Sequence, residues 1–203
     1  MFDPARRDAP YCSIMEAIKH LRGAYPDGLQ GVSIVEIGSM RQALDHPIDE
    51  YDHACCQDGH STVLFARTGA NVFSVDNDAG TVENARKYTE KYPFTYVYEK
   101  DGIQFLGDFP PRPIHLLYLD ARDVNYEDSP LWHLTAFVTA YHRLATRCFV
   151  LIDDTDVYRT ADGQVEFDTG SFSGKGAMVI PTAVAMGWKV LFSGRQTLLS
   201  RGV

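Results

Sequence analysis

Hydrophobic residues along this chain gather in short unbroken runs rather than in alternation with polar ones. The runs are VSIVEI at 32–37, NVFSV at 71–75, FTYVY at 94–98, IHLLYL at 114–119 and CFVLI at 148–152. Strands covered on both faces need such continuous apolar stretches, because neither side of the strand meets water. Between the runs the spacing turns helical: Tyr11 to Ala24 carries Ile14, Met15, Ala17, Ile18 and Leu21 on one face. The segments 60–69, Thr81–Lys91, Gly102–Leu106 and Leu131–Thr146 also read as helices. Beyond residue 152 the rhythm changes. A long segment from Thr155 to Gly174 precedes a helix over Gly176–Ala185, interrupted early by Pro181. WKVLF at 188–192 and QTLLS at 196–200, joined by Ser193-Gly194-Arg195, then read as two strands of a hairpin. The pattern predicts an α/β fold: a Rossmann-like, doubly wound, mostly parallel seven-stranded sheet ending in an antiparallel β-hairpin, with helices on both faces.

The 203 residues suit one domain spanning 1–203, with an N-terminal helical segment at 1–30 and an inserted loop at 40–57. A net charge of −8 argues against a nucleic-acid partner and against an anionic membrane surface. No run of about eighteen apolar residues is present, so no membrane span is expected. The start, MFDPARRDAP, lacks the apolar stretch of a secretory signal, and a cytoplasmic location is expected. Cys12, Cys55, Cys56 and Cys148 form no C-x-x-C pair; reduced thiols are expected, with Cys148 buried.

In a sheet of this kind ligands bind beyond the carboxyl ends of the strands. Each predicted strand here delivers an acid to that edge. Glu36-Ile37-Gly38-Ser39 closes the first, Asp76-Asn77-Asp78 the second and Glu99-Lys100-Asp101-Gly102 the third. Asp120 follows the fourth, and Asp153-Asp154 the fifth. Asp76 is placed to accept both hydroxyls of a ribose, or else to cap the next helix. Gly38 and Gly59 permit close backbone approach to a ligand. The segment Asp58-Gly59-His60-Ser61-Thr62 opens a helix whose free N–H groups favour a ligand carboxylate.

These residues resemble the class I S-adenosylmethionine-dependent methyltransferases over nearly the whole chain. VEIGS at 35–39 and DGHST at 58–62 are similar to the two halves of that family's first motif, with the loop from Met40 to Gln57 inserted between them. The resemblance implies a ribose on Asp76, adenine flanked by Asp101 and Gly102, and a methionine end against Glu36 and Gly38; Ser39, Asp58, Gly59, Ser61 and Asn77 are also expected to bind the cofactor. NAD is the competing occupant, but the glycine-rich turn that holds its pyrophosphate is absent after the first strand.

Asp120, Asp153 and Asp154 end neighbouring strands, and three hard oxygen ligands suit Mg²⁺, Ca²⁺ or Mn²⁺. Without a cation the three would repel one another, and at least one pKa would rise. The set is similar to that of metal-dependent O-methyltransferases of the catechol and macrocin types. By that resemblance a bound Mg²⁺ would lower the pKa of a substrate hydroxyl and aim it at the donor methyl. The lysine that catechol-type enzymes carry three residues after the first ligand is Asp123 here. His60 and Arg122 remain as candidates for a base, and His60 is taken with Asp120 as catalytic.

His46, His53 and His60 recur every seven residues in an acidic, cysteine-bearing loop, but their spacing matches no zinc signature. Covering the cofactor or shaping an acceptor pocket is the expected role of that loop. The expected activity is methyl transfer to a hydroxyl of a small-molecule acceptor, in a chain that forms a homodimer. The alternatives are a metal-independent N-methyltransferase and a non-catalytic nucleotide-binding protein of the same fold.

Overall fold

The computed structural model describes residues 10–42, 60–167 and 172–203. The first helix, α1, runs Pro10–Ala24. Then β1 (Ser33–Ile37), α2 (Ser61–Ala66), β2 (Asn71–Asp76), α3 (Ala79–Thr89), β3 (Thr95–Glu99), α4 (Gly102–Asp108) and β4 (Ile114–Leu119) alternate along the chain. They are followed by α5 (Ser129–Ala140), β5 (Leu144–Ile152), β6 (Val157–Arg159), β7 (Val165–Phe167), α6 (Val179–Ala185), β8 (Lys189–Phe192) and β9 (Thr197–Arg201).

Among the described residues, seven strands form one sheet in the order β3-β2-β1-β4-β5-β9-β8. The first five are parallel. β9 is antiparallel to both neighbours, so the last strand of the chain inserts between β5 and β8 and the hairpin's first strand forms the edge.

Side chains alternate across the sheet, and both sets are apolar. Ile34, Leu116, Tyr118, Phe149 and Leu151 face one cluster that includes Ile14, Leu21 and Phe65 of α1 and α2. Val35, Leu117, Leu119, Val150 and Ile152 face the other, against Phe105, Phe137, Ile180 and Trp188. The continuous hydrophobic runs of β1, β2, β4 and β5 therefore reflect two packed faces, whereas the run FTYVY forms the edge strand β3, where Tyr96 and Tyr98 are exposed.

Register decides where the chemistry goes. Ile37 lies opposite Val75 on one side and Leu119 on the other, and Leu119 lies opposite Ile152. The residues that follow these, Gly38, Asp76, Asp120 and Asp153, consequently stand in one row. On the far side of β5, Ile152 pairs antiparallel with Thr197, which brings Gln196 level with Asp153.

Three elements differ from the sequence expectation. The helical spacing read through Thr146 ends at Ala140; one 3₁₀ turn over Tyr141–Arg143 follows, and Leu144–Thr146 already belongs to β5. The segment after Thr155 is not bare loop, since β6 and β7 pair within it as an antiparallel hairpin. The helix expected from Gly176 begins at Val179, which puts Pro181 in its first turn, where a missing N–H leaves no bond unmade. Asp58, Gly59, His46, His53, Cys55 and Cys56 lie outside the described residues. Among those described, no helix is long and apolar enough to cross a membrane.

Phe137 on α5 is fully buried and meets Tyr141 and Trp188 edge-on, with ring centres 5.8 and 5.7 Å away. Phe137→Ala should therefore cost about 3–5 kcal/mol of unfolding free energy. Urea denaturation followed by circular dichroism measures it; a loss under about 1 kcal/mol would contradict this packing.

Candidate functional site

The hydrogen-bond ladder continues one residue past the strand ends. Gly38 donates to the Val75 carbonyl (2.9 Å), Asp120 to Ile37 (2.8 Å) and Asp153 to Leu119 (3.1 Å). At Gly38 the backbone is left-handed, with φ of 95°, and a Cβ there would run into the Asp120 carbonyl. Glycine is what allows the tips of β1 and β4 to close together.

A cavity of about 570 Å³ opens over this edge, and Gly38, Asp76, Asn77, Asp101, Gly102 and Trp132 are among its walls. The Asp76 carboxylate is held by two backbone donors, Ser39 N–H on Oδ2 and Asp78 N–H on Oδ1, each at 2.9 Å. Helix α3 is capped by Asp78, whose Oδ1 accepts from Thr81 N–H at 2.8 Å. Asp76 is thereby not the cap. Asp101 does cap α4, accepting from Gln104 N–H at 2.8 Å. It thus joins the cavity wall as a cap as well as a potential ligand contact.

Glu36 lies beneath this wall rather than in it. Its carboxylate is fully buried and accepts from Ser61 Oγ, from Thr62 Oγ1 (2.7 Å) and from Ser74 Oγ (2.5 Å). Burial drives its pKa up from 4.5 to about 7, against the pull of those three hydroxyls. Ser61, expected with Glu36 to bind the cofactor, is bonded to Glu36, and both are buried and absent from the named walls of the first cavity. Ser39 Oγ lies 2.8 Å from Ser74 Oγ, and Ser39 borders the neighbouring cavity instead. His60 is buried at the residue preceding α2, and the described walls of the cavities do not include it.

That neighbouring cavity, about 400 Å³, holds the acid cluster. One oxygen from each of Asp120, Asp153 and Asp154 lies within 4.8 Å of the others. The sequence did not reveal what lies among them. Lys175 is 1% exposed, and its Nζ is 2.6 Å from Asp120 Oδ1, 3.0 Å from Asp154 Oδ2 and 3.7 Å from Asp153 Oδ2. Arg195 Nη2 adds a contact of 3.2 Å to Asp154 Oδ1. Gln196 Nε2 donates to Asp153 Oδ1 (2.7 Å) and to Tyr118 Oη (2.8 Å), and Tyr118 donates to Asp120 Oδ2 (3.2 Å).

The expected repulsion falls on Asp153. Burial, reinforced by the charges of Asp120 and Asp154, pushes Asp153 well above the usual carboxylate range. Burial also opposes ionisation of Asp120, but the Lys175 charge outweighs it and holds that carboxyl below its ordinary value. Burial disfavours the Lys175 ammonium, and the three carboxylates more than offset this, so the lysine keeps its proton. A divalent cation does not fit the cluster as it stands. It would take oxygen lone pairs already committed to Lys175 and would be held close to a second positive charge.

Asp154 sits with φ of 47°, an uncommon conformation for a residue with a side chain. Gly174 is also left-handed, with φ of 49°, and a Cβ there would run into the Asp154 carbonyl. These two turns are what let the chain deliver Lys175. No pattern in the sequence marks this beyond a lysine enclosed by glycines in SGKGA at 173–177. Tyr118 and Gln196 were likewise hidden, one inside an apolar run and the other at the start of a strand.

Arg41 spans the first two cavities and pairs with Asp123 at 2.8 Å. A third cavity of about 700 Å³, with Tyr126, Ser129, Tyr158, Phe172 and Gly174 in its wall, adjoins them.

No family model matches the chain, and no curated protein sequence matches it. Solved structures do. A putative caffeoyl-CoA O-methyltransferase from Staphylococcus aureus aligns with a TM-score of 0.61 at 12% identity, over 93% of this chain and 82% of that one. The N-methyltransferase NodS from Bradyrhizobium japonicum WM9 gives 0.56 at 14% identity, over 92% and 94%. The fold is the Rossmann-like methyltransferase fold. The 16S rRNA N2 G1207 methyltransferase RsmC of T. thermophilus, in complex with AdoMet and guanosine, gives 0.57 at 17% identity over 99% of this chain and 43% of that one. Because that fold also occurs in an enzyme of ribosomal RNA, the expected absence of a nucleic-acid partner rests on net charge alone.

Glu36 predicts a pH dependence. With its folded pKa raised, its contribution to stability is complete below 4.5 and is lost as pH climbs toward 7. The stability of the native chain minus that of Glu36→Gln should fall by roughly 3 kcal/mol between about pH 4 and pH 8. Urea midpoints at the two pH values check this, and a pH-independent difference would contradict it.

Proposed function

We propose that this chain is an S-adenosylmethionine-dependent methyltransferase whose acceptor is a hydroxyl of a small molecule. The observation that carries the reading is Asp76: a carboxylate at the tip of β2, fixed by two backbone N–H groups, in the wall of a cavity with Gly38, Asp101 and Gly102. A carboxylate so held keeps lone pairs for two vicinal hydroxyls, which a ribose offers and most small ligands do not. In support, the solved structures with this fold include NodS in complex with S-adenosyl-L-homocysteine.

The donor's ribose would lie on Asp76 and Asn77, with adenine toward Asp101 and Gly102. Its sulfonium would point toward the acid-lined second cavity. Methyl transfer forms a bond from acceptor oxygen to methyl carbon while the carbon–sulfur pair returns to sulfur, leaving a neutral thioether. The oxygen becomes strongly acidic as that bond forms, so an ionised carboxylate suffices to receive its proton. Asp120, kept ionised by Lys175, is the group for that role. Most of the catalysis is then positioning of donor and acceptor. Mg²⁺ has no step in this account.

A small acceptor is favoured by the third cavity, where Tyr126, Tyr158 and Phe172 offer aromatic surface. Cations at the cavity mouths are also paired: Arg41 with Asp123, Arg122 with Asp128 and Arg195 with Asp154. Such pairing weakens any attraction for a phosphate backbone.

Isothermal titration with S-adenosylmethionine is the test. Binding by the native chain is expected, and Asp76→Ala should weaken it by roughly ten- to a hundredfold, about 1.5–3 kcal/mol for hydrogen bonds to a charged group. A native chain that binds no donor would overturn the reading. In the same assay Asp120→Asn should keep its donor affinity while losing turnover.

A further inference from the structure

We propose that the Lys175 ammonium is the resident cation of the carboxylate cluster, so that Asp120, Asp153 and Asp154 bind no divalent metal in the native protein. The sequence taken alone points the opposite way, since three aspartates ending adjacent strands are a good donor set for Mg²⁺. Position decides between the two. Lys175 Nζ lies within hydrogen-bond distance of Asp120 and Asp154 and 3.7 Å from Asp153, with its side chain 1% exposed. Long apolar stems carrying a charge are seldom buried so completely unless that charge is paired. Here the pairing is with the same oxygens a metal would use.

The delivery of the lysine is built into the backbone. Gly174 turns left-handed against the Asp154 carbonyl, and the Lys175 N–H donates to that carbonyl at 3.3 Å. Asp154 is itself left-handed. Ser173 N–H donates to the Thr155 carbonyl at 3.1 Å, which ties the approaching chain to the segment just beyond β5. The 3₁₀ turn over Gly174–Gly176 is thus anchored at Ser173 and at the lysine itself. Arg195 contributes a second positive charge on Asp154 from the turn between β8 and β9. Two cations facing three carboxylates leave little net charge to attract a third, divalent one.

An ammonium differs from a metal ion in what it offers a ligand. It has three N–H donors, and two of them have carboxylate partners within 3.0 Å among the described residues. Asp153 Oδ2 stands at 3.7 Å, beyond hydrogen-bond length, and Lys175 is among the residues lining the second cavity. There it can hold an acceptor oxygen with a fixed positive charge that neither exchanges nor responds to chelators. This second part rests on the methyltransferase reading; the exclusion of metal does not.

Electron paramagnetic resonance of free Mn²⁺ tests the proposal on the full native chain. Adding protein should leave the free-ion signal undiminished. Lys175→Met, which empties the cluster of its ammonium while keeping the stem, should bind Mn²⁺ at least roughly tenfold more tightly than the native chain. It should also gain thermal stability from Mg²⁺, which the native chain should not. Should Lys175→Met fail to fold, the native chain still decides: Mn²⁺ binding that Asp120→Asn abolishes would overturn the proposal. Donor titration keeps the two readings apart. A native chain that binds neither Mn²⁺ nor S-adenosylmethionine supports the resident ammonium and overturns the proposed function.

Discussion

Parallel strands in register deliver their last residues to one edge, and in this chain that edge is acidic from β2 to β5. Carboxylates a few ångströms apart in a partly dry setting repel strongly, because little solvent remains to screen them. Much of the local structure can be understood as the answer to that repulsion. Asp78 and Asp101 spend their charge on helix N-termini, where free N–H groups await an acceptor. Glu36, too deep for any such partner, is enclosed by three hydroxyls and holds a raised pKa. Asp120, Asp153 and Asp154 are gathered around one ammonium. Asp76 caps no helix: it is fixed by the backbone N–H groups of Ser39 and Asp78 and faces a cavity. It is on this difference in treatment, rather than on the presence of acids, that the proposed ligand contact at Asp76 rests.

The sheet was legible in the sequence because both of its faces are packed. IHLLYL and CFVLI have no solvent-facing side to interrupt them, and their last residues, Leu119 and Ile152, are where the structure ends the strands. Boundaries failed where local pattern and pairing disagree. Leu144–Thr146 carries on a helical spacing, yet pairing to β4 at Ile114 and Leu144 draws it into a strand. The three-residue strands of the β6–β7 hairpin are too short to show any period.

The site was legible in outline only. Acids after strands could be placed by topology, and Asp76, Asn77, Asp101 and Gly102 do share one cavity with Gly38. What topology could not supply was which acids are already satisfied. Glu36 and Ser61 belong to each other through a contact made across the fold from residues 25 apart in the chain. Lys175 is 55 residues from Asp120, and a single lysine between glycines has neither spacing nor periodicity to announce it. Three aspartates on adjacent strand tips do need a positive partner, and that partner comes from further along the chain rather than from solution.

The account turns on donor and ammonium occupying adjoining parts of one trough. A crystal structure grown with S-adenosylhomocysteine and Mn²⁺ addresses this most directly. The account predicts ribose hydroxyls on the Asp76 carboxylate, adenine beside Asp101, and the Lys175 side chain among the three carboxylates with no anomalous peak there. A ligand seated elsewhere, or a manganese peak in the ammonium's place, would contradict it.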